Sequence, residues 1–235
     1  MFPAFRRADT ARYAAILVLI LCTIGFQLAA PDTDWARFIT VLLQGGTLLL
    51  SLNVGRIHGL LDRLLIALVV IAIAVSFVAV TEFATLGDLD ARLINLLLIG
   101  FAPVAILIGM VTDMRARHRV TVRTIIGVLS IYLLIGLIFT FVLGIIAAST
   151  STPFFKHGIA GDSADYLYFS YATLTTVGYG DLVAGLHAGR SVAIIEALIG
   201  QIYLVSVVSL IVGNLGRLPS GGGPPRARPA SSRSR

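Results

Sequence analysis

Seven consecutive residues toward the end of the chain have the types and order that could coordinate a cation through the backbone. Residues 175–181 read Thr-Thr-Val-Gly-Tyr-Gly-Asp. Gly178 and Gly180 can adopt positive φ without steric cost. Glycines that alternate with L-residues let successive carbonyl groups point to the same side of the chain. Several such strands around one axis would replace the hydration shell of a cation, so the string indicates an ion-coordinating loop.

The rest of the chain is strongly apolar, which limits how this loop can be positioned. Of the 235 residues, 57% are hydrophobic and 13% are charged, and the mean hydropathy is +0.93. An average soluble domain carries about 25% charged residues. Six apolar runs have the length of a membrane-spanning helix, namely residues 13–30, 38–54, 64–83, 93–111, 124–148 and 191–213. The sequence therefore predicts an all-α membrane protein with six transmembrane helices.

The positions of the cations predict how these helices are oriented. If the amino terminus lies inside, the inner segments carry 14 of the 18 Arg and Lys residues, and the outer segments carry the other four. Cytoplasmic loops of membrane proteins carry an excess of such residues. We therefore expect a multi-pass protein with both termini in the cytoplasm, which requires an even number of spans.

The ion-coordinating string lies between the fifth and sixth apolar runs. Before it, residues 166–176 are apolar and aromatic but long enough for only about half a membrane, so we predict a re-entrant helix. Asp162, Ser163 and Asp165 suit the N-terminus of that helix. Backbone that is not helical survives at membrane depth where it is buried in protein or lines a water-filled path. The re-entrant helix would place the string on such a path.

With these features the chain resembles the potassium channel family, whose selectivity filter is a TVGYG loop contributed by four copies. The resemblance covers about residues 124–216 and is closest to bacterial members with a plain pore domain. The residues that carry it are Thr173, Thr175, Thr176, Val177, Gly178, Tyr179, Gly180 and Asp181. It implies that K⁺ sits between carbonyl rings of the filter residues, which are Thr176, Val177, Gly178 and Tyr179. It also implies an outer mouth at Gly180 and Asp181 and a pore helix that contains Thr173 and Thr175.

The resemblance also shows one departure near the outer mouth. Some bacterial relatives place a glutamate in the pore helix to pair with the filter aspartate, and the matching residue here is Ala172. Any inactivation that depends on this carboxylate is therefore in doubt, whereas selectivity is not expected to depend on it.

The resemblance sets expectations for assembly and domain organisation. One chain supplies one filter strand, so a homotetramer with fourfold symmetry is expected. Residues 1–120 would form a four-helix transmembrane region, residues 121–216 the pore domain, and residues 217–235 a disordered, basic cytoplasmic tail. The expected location is the bacterial cytoplasmic membrane. Membrane lipid is the other expected partner, a separate regulatory subunit is left open, and neither nucleic acid nor a cofactor other than permeant K⁺ is expected.

The sixth apolar run contains candidate residues for gating and for support of the filter. The resemblance implies a hinge at Gly200. Leu204, Val208 and Val212 share one helix face and could form an apolar constriction or pack against lipid. Glu196 is an ionisable residue inside a span, which makes it a functional candidate. It could support the filter from behind the pore helix, for example through a tyrosine hydroxyl, or lie near the membrane surface and meet water or an arginine.

Several function classes fit the sequence less well. Residues 93–112 contain no Arg or Lys, so the fourth span lacks the arginines of a voltage sensor, and weak voltage dependence is expected. No catalytic motif is present, and the protein is not expected to be an enzyme. A potassium transporter subunit would carry four imperfect loops in a longer chain. A non-conducting membrane protein would have no physical need for both filter glycines. The sequence therefore predicts a passive, potassium-selective ion channel.

Overall fold

A computed structural model describes residues 3–55, 59–80, 88–117 and 121–215. Within these residues the chain forms seven α-helices and one short 3-10 turn, with no strand apart from an isolated bridge. The helices are α1 (Pro3–Ala29), α2 (Asp34–Gly55), α3 (Leu60–Val80), α4 (Asp88–Arg117), α5 (Val122–Ala148), α6 (Ser163–Leu174) and α7 (His187–Leu215). The predicted all-α fold, with a short helix between two long ones, is confirmed.

Five of the described helices are long and apolar enough to cross a membrane. Their apolar segments are Thr10–Ala29, Asp34–Gly55, Leu89–Thr112, Val122–Ala148 and His187–Val207. In α3 the apolar segment Arg63–Val78 is shorter. The sequence predicted a sixth span over residues 64–83, and the end of that run lies beyond Val80, outside the described residues. The predicted boundary at residue 120 and the predicted disordered tail, residues 217–235, also lie outside them.

The first four helices pack with α5 around one apolar core. α2 packs on α4, and α4 and α1 pack on α5. The side chains without solvent exposure include Ile16, Ile20, Leu48, Leu98, Ile106, Leu134 and Leu137. One face of α2 is polar yet buried, and the hydroxyls of Thr40, Thr47 and Ser51 donate to carbonyl oxygens four residues earlier in the same helix. These hydrogen bonds satisfy the three buried hydroxyl groups inside the bundle.

The short helix α6 begins where the acidic residues predicted a helix N-terminus. The Asp162 carboxylate accepts a hydrogen bond from the Asp165 backbone N–H at 2.9 Å, and the Asp165 carboxylate accepts one from the Asp162 N–H at 3.1 Å. This reciprocal capping box satisfies two of the backbone donors that a helix start leaves free. Thr173 lies inside α6, which ends at Leu174, and Thr175 follows as the C-cap. Because the cap residues precede an apolar run, the start of α6 was readable from sequence.

An aromatic cluster fixes the segments on either side of α6. Phe154 and Phe155 are almost completely buried and contact the rings of Tyr166 and Phe169 in α6. Phe155 also pairs with Ala184 in the isolated antiparallel bridge. The segment before α6 is thereby joined to the segment after residues 175–181, which we call the filter string. Both ends of this loop are anchored to the same cluster.

We predict that Asp162→Ala will lower the free energy of unfolding by about 1 kcal/mol, because alanine cannot accept the hydrogen bond at the helix start. Asp162→Asn is the matched control, since asparagine caps a helix about as well as aspartate. Thermal unfolding of the purified variants in one detergent would measure the difference. Equal stability of the alanine and asparagine variants would contradict the capping role.

Candidate ion-binding site

The backbone of the filter string alternates between left-handed and ordinary conformations. φ is +58° at Thr176, +51° at Gly178 and +81° at Gly180, whereas Val177 and Tyr179 between them do not have positive φ. Such alternation aligns successive peptide groups, with N–H groups toward one side and carbonyl groups toward the other. The alternating φ values are therefore compatible with a row of carbonyl oxygens along one side of the segment.

The positive φ of Thr176 is the part of this pattern that the sequence did not reveal. A β-branched residue rarely adopts that conformation, and such strain persists where the surrounding structure enforces it. Here two backbone hydrogen bonds hold the chain against the end of α6, from the Thr176 N–H to the Thr173 carbonyl at 3.0 Å and from the Gly178 N–H to the Ala172 carbonyl at 3.1 Å. The conformation of the string therefore depends on where α6 ends.

One side of the string is open within a single chain. The side chains of Val177 and Tyr179 are 53% and 74% exposed. At Gly178 and Gly180, no atom lies within 4 Å of the position that a Cβ would occupy. No cluster of three or more His, Cys, Asp or Glu side chains that could hold a metal ion occurs among the described residues. An ion at this site would therefore meet backbone oxygens rather than a set of side-chain ligands.

Tyr168 of α6 supports the outer end of the string. Its hydroxyl donates to the Asp181 carboxylate at 2.9 Å, and its ring stacks on that of Tyr179 with the centroids 6.2 Å apart. The hydrogen bond from Tyr168 holds the pKa of Asp181 below its usual value, so the carboxylate is charged at neutral pH. The position of Ala172, where some relatives carry a glutamate, offers no partner for Asp181. The partner is instead a tyrosine one helical turn earlier on the same face.

Three tyrosine hydroxyls join α5 to α6 and α7 behind the string. Tyr132 of α5 donates to the carbonyl of Leu174, the last residue of α6, at 3.2 Å. Tyr171 of α6 donates in the opposite direction, to the Leu133 carbonyl at 2.6 Å. The third is Tyr203 of α7, which donates to a carbonyl of α5 at 2.6 Å. In a membrane interior these bonds meet no competing water, so they fix the position of α6 against the two long helices.

Gly200 lies where α7 comes close to the end of α6. A Cβ at this position would lie 2.5 Å from the Leu174 carbonyl oxygen, so a side chain would push the two helices apart. α7 is helical from His187 to Leu215, and the hinge role of Gly200 stays a prediction. The expected constriction is also untested, because the side chains of Val208 and Val212 lie outside the described part of α7. Leu204 is 39% exposed in the single chain.

Glu196 lies one helical turn before Gly200 and is fully buried. The Ser170 hydroxyl of α6 is 2.5 Å from its Oε1 atom. The sequence left open whether Glu196 lies behind the short helix or near the membrane surface. Its side chain lies behind α6. Its partner is a serine and not a tyrosine, and the sequence contained no signal for that choice because residues 170 and 196 belong to different helices.

α6 is contacted near its start by α4 and by the connection between α1 and α2. The Asp32 carboxylate, which follows α1, accepts a hydrogen bond from the Ser163 N–H at 3.1 Å. The Arg92 guanidinium of α4 lies 4.9 Å from the centroid of the Tyr166 ring, a distance typical of a cation–π contact. These residues attach the amino-terminal region to α6.

We predict that Gly200→Ala will destabilise the protein by about 1–3 kcal/mol, the usual cost of forcing an extra methyl group into a packed site. Gly100→Ala in α4 is the matched control, since no atom lies within 4 Å of the position that its Cβ would take and alanine is the better helix former. Thermal unfolding of both variants would give the comparison. A Gly200→Ala protein as stable as Gly100→Ala would contradict the close approach of α7 to α6.

A comparison with family models matches residues 127–216 to the family described as an ion channel. The matched segment begins in α5 and includes α6, the filter string and α7. Searches of curated proteins and of solved structures found no match. Residues 127–216 of this chain are therefore similar to an ion channel domain.

Proposed function

We propose that the protein is a potassium-selective channel that passes K⁺ passively through backbone carbonyls of residues 176–180. The observation that carries the proposal is the alternation of left-handed backbone at Thr176, Gly178 and Gly180 within the TVGYG string. Carbonyl oxygens aligned in this way can replace the hydration shell of K⁺. The hydrogen bonds that hold the string to α6 and Asp181 to Tyr168 favour a fixed ion path.

The proposal includes a homotetramer, because four strands are needed to surround an ion. The exposed surfaces of the single chain support this assembly. Filter residues are exposed, and so is an apolar surface of α7 formed by Ile194, Ile195, Leu198, Ile199, Ile202, Leu204 and Val205. Neighbouring copies around the pore axis, together with lipid, would cover these residues. In the same proposal the protein is a multi-pass protein of a bacterial cytoplasmic membrane with both termini in the cytoplasm, as the distribution of its cations indicates.

Gly178→Asp is expected to abolish K⁺ flux from liposomes that contain the purified protein. The carboxylate would disturb the carbonyl row sterically and electrostatically, and residues other than glycine are uncommon at positive φ. Gly158→Asp is a matched control, because Gly158 also has positive φ, +78°, and open space around its Cβ position, but lies in a surface turn. K⁺ flux well above Na⁺ flux is expected in the unchanged protein and in Gly158→Asp.

Two results would count against this proposal. Equal K⁺ and Na⁺ flux in the unchanged protein would refute potassium selectivity while leaving a pore. K⁺ flux that survives in Gly178→Asp would place the ion path elsewhere in the protein.

We also expect the channel to depend weakly on voltage. In α4 the apolar segment Leu89–Thr112 contains one cation, Arg92, and this residue contacts the pore helix through Tyr166. Strong voltage dependence requires several charges that move through the membrane field. Conductance measured against voltage in a planar bilayer would test this, and a steep curve would contradict the prediction.

A further inference from the structure

Glu196 is an acidic side chain in a position that disfavours negative charge. It lies in the apolar segment of α7 with no solvent exposure. One carboxyl oxygen, Oε1, is 2.5 Å from the Ser170 hydroxyl oxygen. The other, Oε2, is buried and has no hydrogen-bond partner in the described part of the chain. A carboxyl group at this depth with one unsatisfied oxygen would be costly if it were ionised.

The groups that face Glu196 offer no compensating positive charge. None of the described Arg, Lys or His side chains forms an ion pair with it. The titratable groups near it are Tyr132 of α5 and Tyr171 of α6. Both hydroxyls already donate to backbone carbonyls. The surroundings of Glu196 are therefore those of a neutral group.

The two short contacts of the Ser170 hydroxyl oxygen also point to a neutral Glu196. Its hydroxyl oxygen is 2.5 Å from Glu196 Oε1 and 2.8 Å from the Gly136 carbonyl oxygen, and a serine hydroxyl has one proton to donate. If Glu196 were ionised, that proton could lie in only one of these two short contacts. If Glu196 carries a proton, it donates to Ser170, which in turn donates to Gly136, and both contacts are hydrogen bonds.

We propose that Glu196 is protonated at neutral pH and positions the pore helix as a neutral hydrogen-bond donor to Ser170. Ser170 precedes by two and three residues the Ala172 and Thr173 carbonyls that hold the filter string. The link from Glu196 through Ser170 to Gly136 of α5 therefore fixes the part of α6 on which the string depends. The effect of this link on ion selectivity rests on the proposed channel function. The protonation state of Glu196 does not depend on that function.

The protonation state can be read by infrared spectroscopy of the full-length protein in liposomes. The chain contains two glutamates, Glu82 and Glu196, so isotope-labelled glutamate marks few carboxyl groups. At neutral pH we expect an isotope-shifted carbonyl band of a protonated carboxyl group, which is lost in Glu196→Gln and kept in the control Glu82→Gln. A labelled protein with only ionised carboxylate bands, or a protonated band that persists in Glu196→Gln, would overturn the proposal.

The positioning role can be read from K⁺ and Na⁺ flux. Glu196→Gln should retain most of the K⁺ preference, because the amide can donate to Ser170 as the neutral acid does. Glu196→Leu has a similar size but no donor, and we expect the preference to fall by about tenfold, as for the loss of one buried hydrogen bond. Equal losses in the glutamine and leucine variants, or no loss in the leucine variant, would refute the role.

A second substitution separates this role from a general packing defect. Ser170→Ala interrupts the same hydrogen-bonded link, so the double variant with Glu196→Leu should be little worse than either single variant. Fully additive losses would show that the two side chains act independently and would contradict the link. If the unchanged protein shows no K⁺ preference, the proposed function fails, and the infrared measurement still decides the protonation state.

Discussion

The structure depends on a strained stretch of backbone that must be held in place by its neighbours. Thr176 has a left-handed conformation that is unfavourable for a β-branched residue. The string that follows is exposed within the single chain and makes few contacts of its own. Two hydrogen bonds to carbonyls near the end of α6 hold its N–H groups. The position of α6 therefore sets the geometry of this string and of an ion path through it.

α6 is accordingly fixed at its start, along its back and at its end. A capping box and the Asp32 carboxylate bind its first turn, and the aromatic cluster packs beside it. In the middle of the helix, the hydroxyls of Ser170 and Tyr171 donate to carbonyls of α5. At its end, the hydroxyl of Tyr132 in α5 donates to the last carbonyl of α6. The hydrogen bonds with α5 are buried or partly buried, whereas those at the first turn are exposed. Loss of one of the buried hydrogen bonds could not be made good by water, which explains why a short helix can keep a defined position.

The same contacts give the amino-terminal helices a structural role. Their core is continuous with α5, and Arg92 and Asp32 reach the first turns of α6. The α4 segment lacks the repeated arginines that would move in a membrane field. The amino-terminal region is therefore attached to α6 through Asp32 and through the contact of Arg92 with Tyr166.

The sequence by itself determined the local features of this protein, because each depends on neighbouring residues. Apolar run length predicted the five helices that are long and apolar enough to cross a membrane. Asp162 and Asp165 predicted the start of α6, and the glycine spacing predicted positive φ at residues 178 and 180. Tertiary structure decided the contacts between distant residues, such as Ser170 with Glu196 and Tyr168 with Asp181. It also decided the positive φ of Thr176 and the close approach at Gly200. These features depend on how the helices pack, and a linear pattern of residue types does not contain that information.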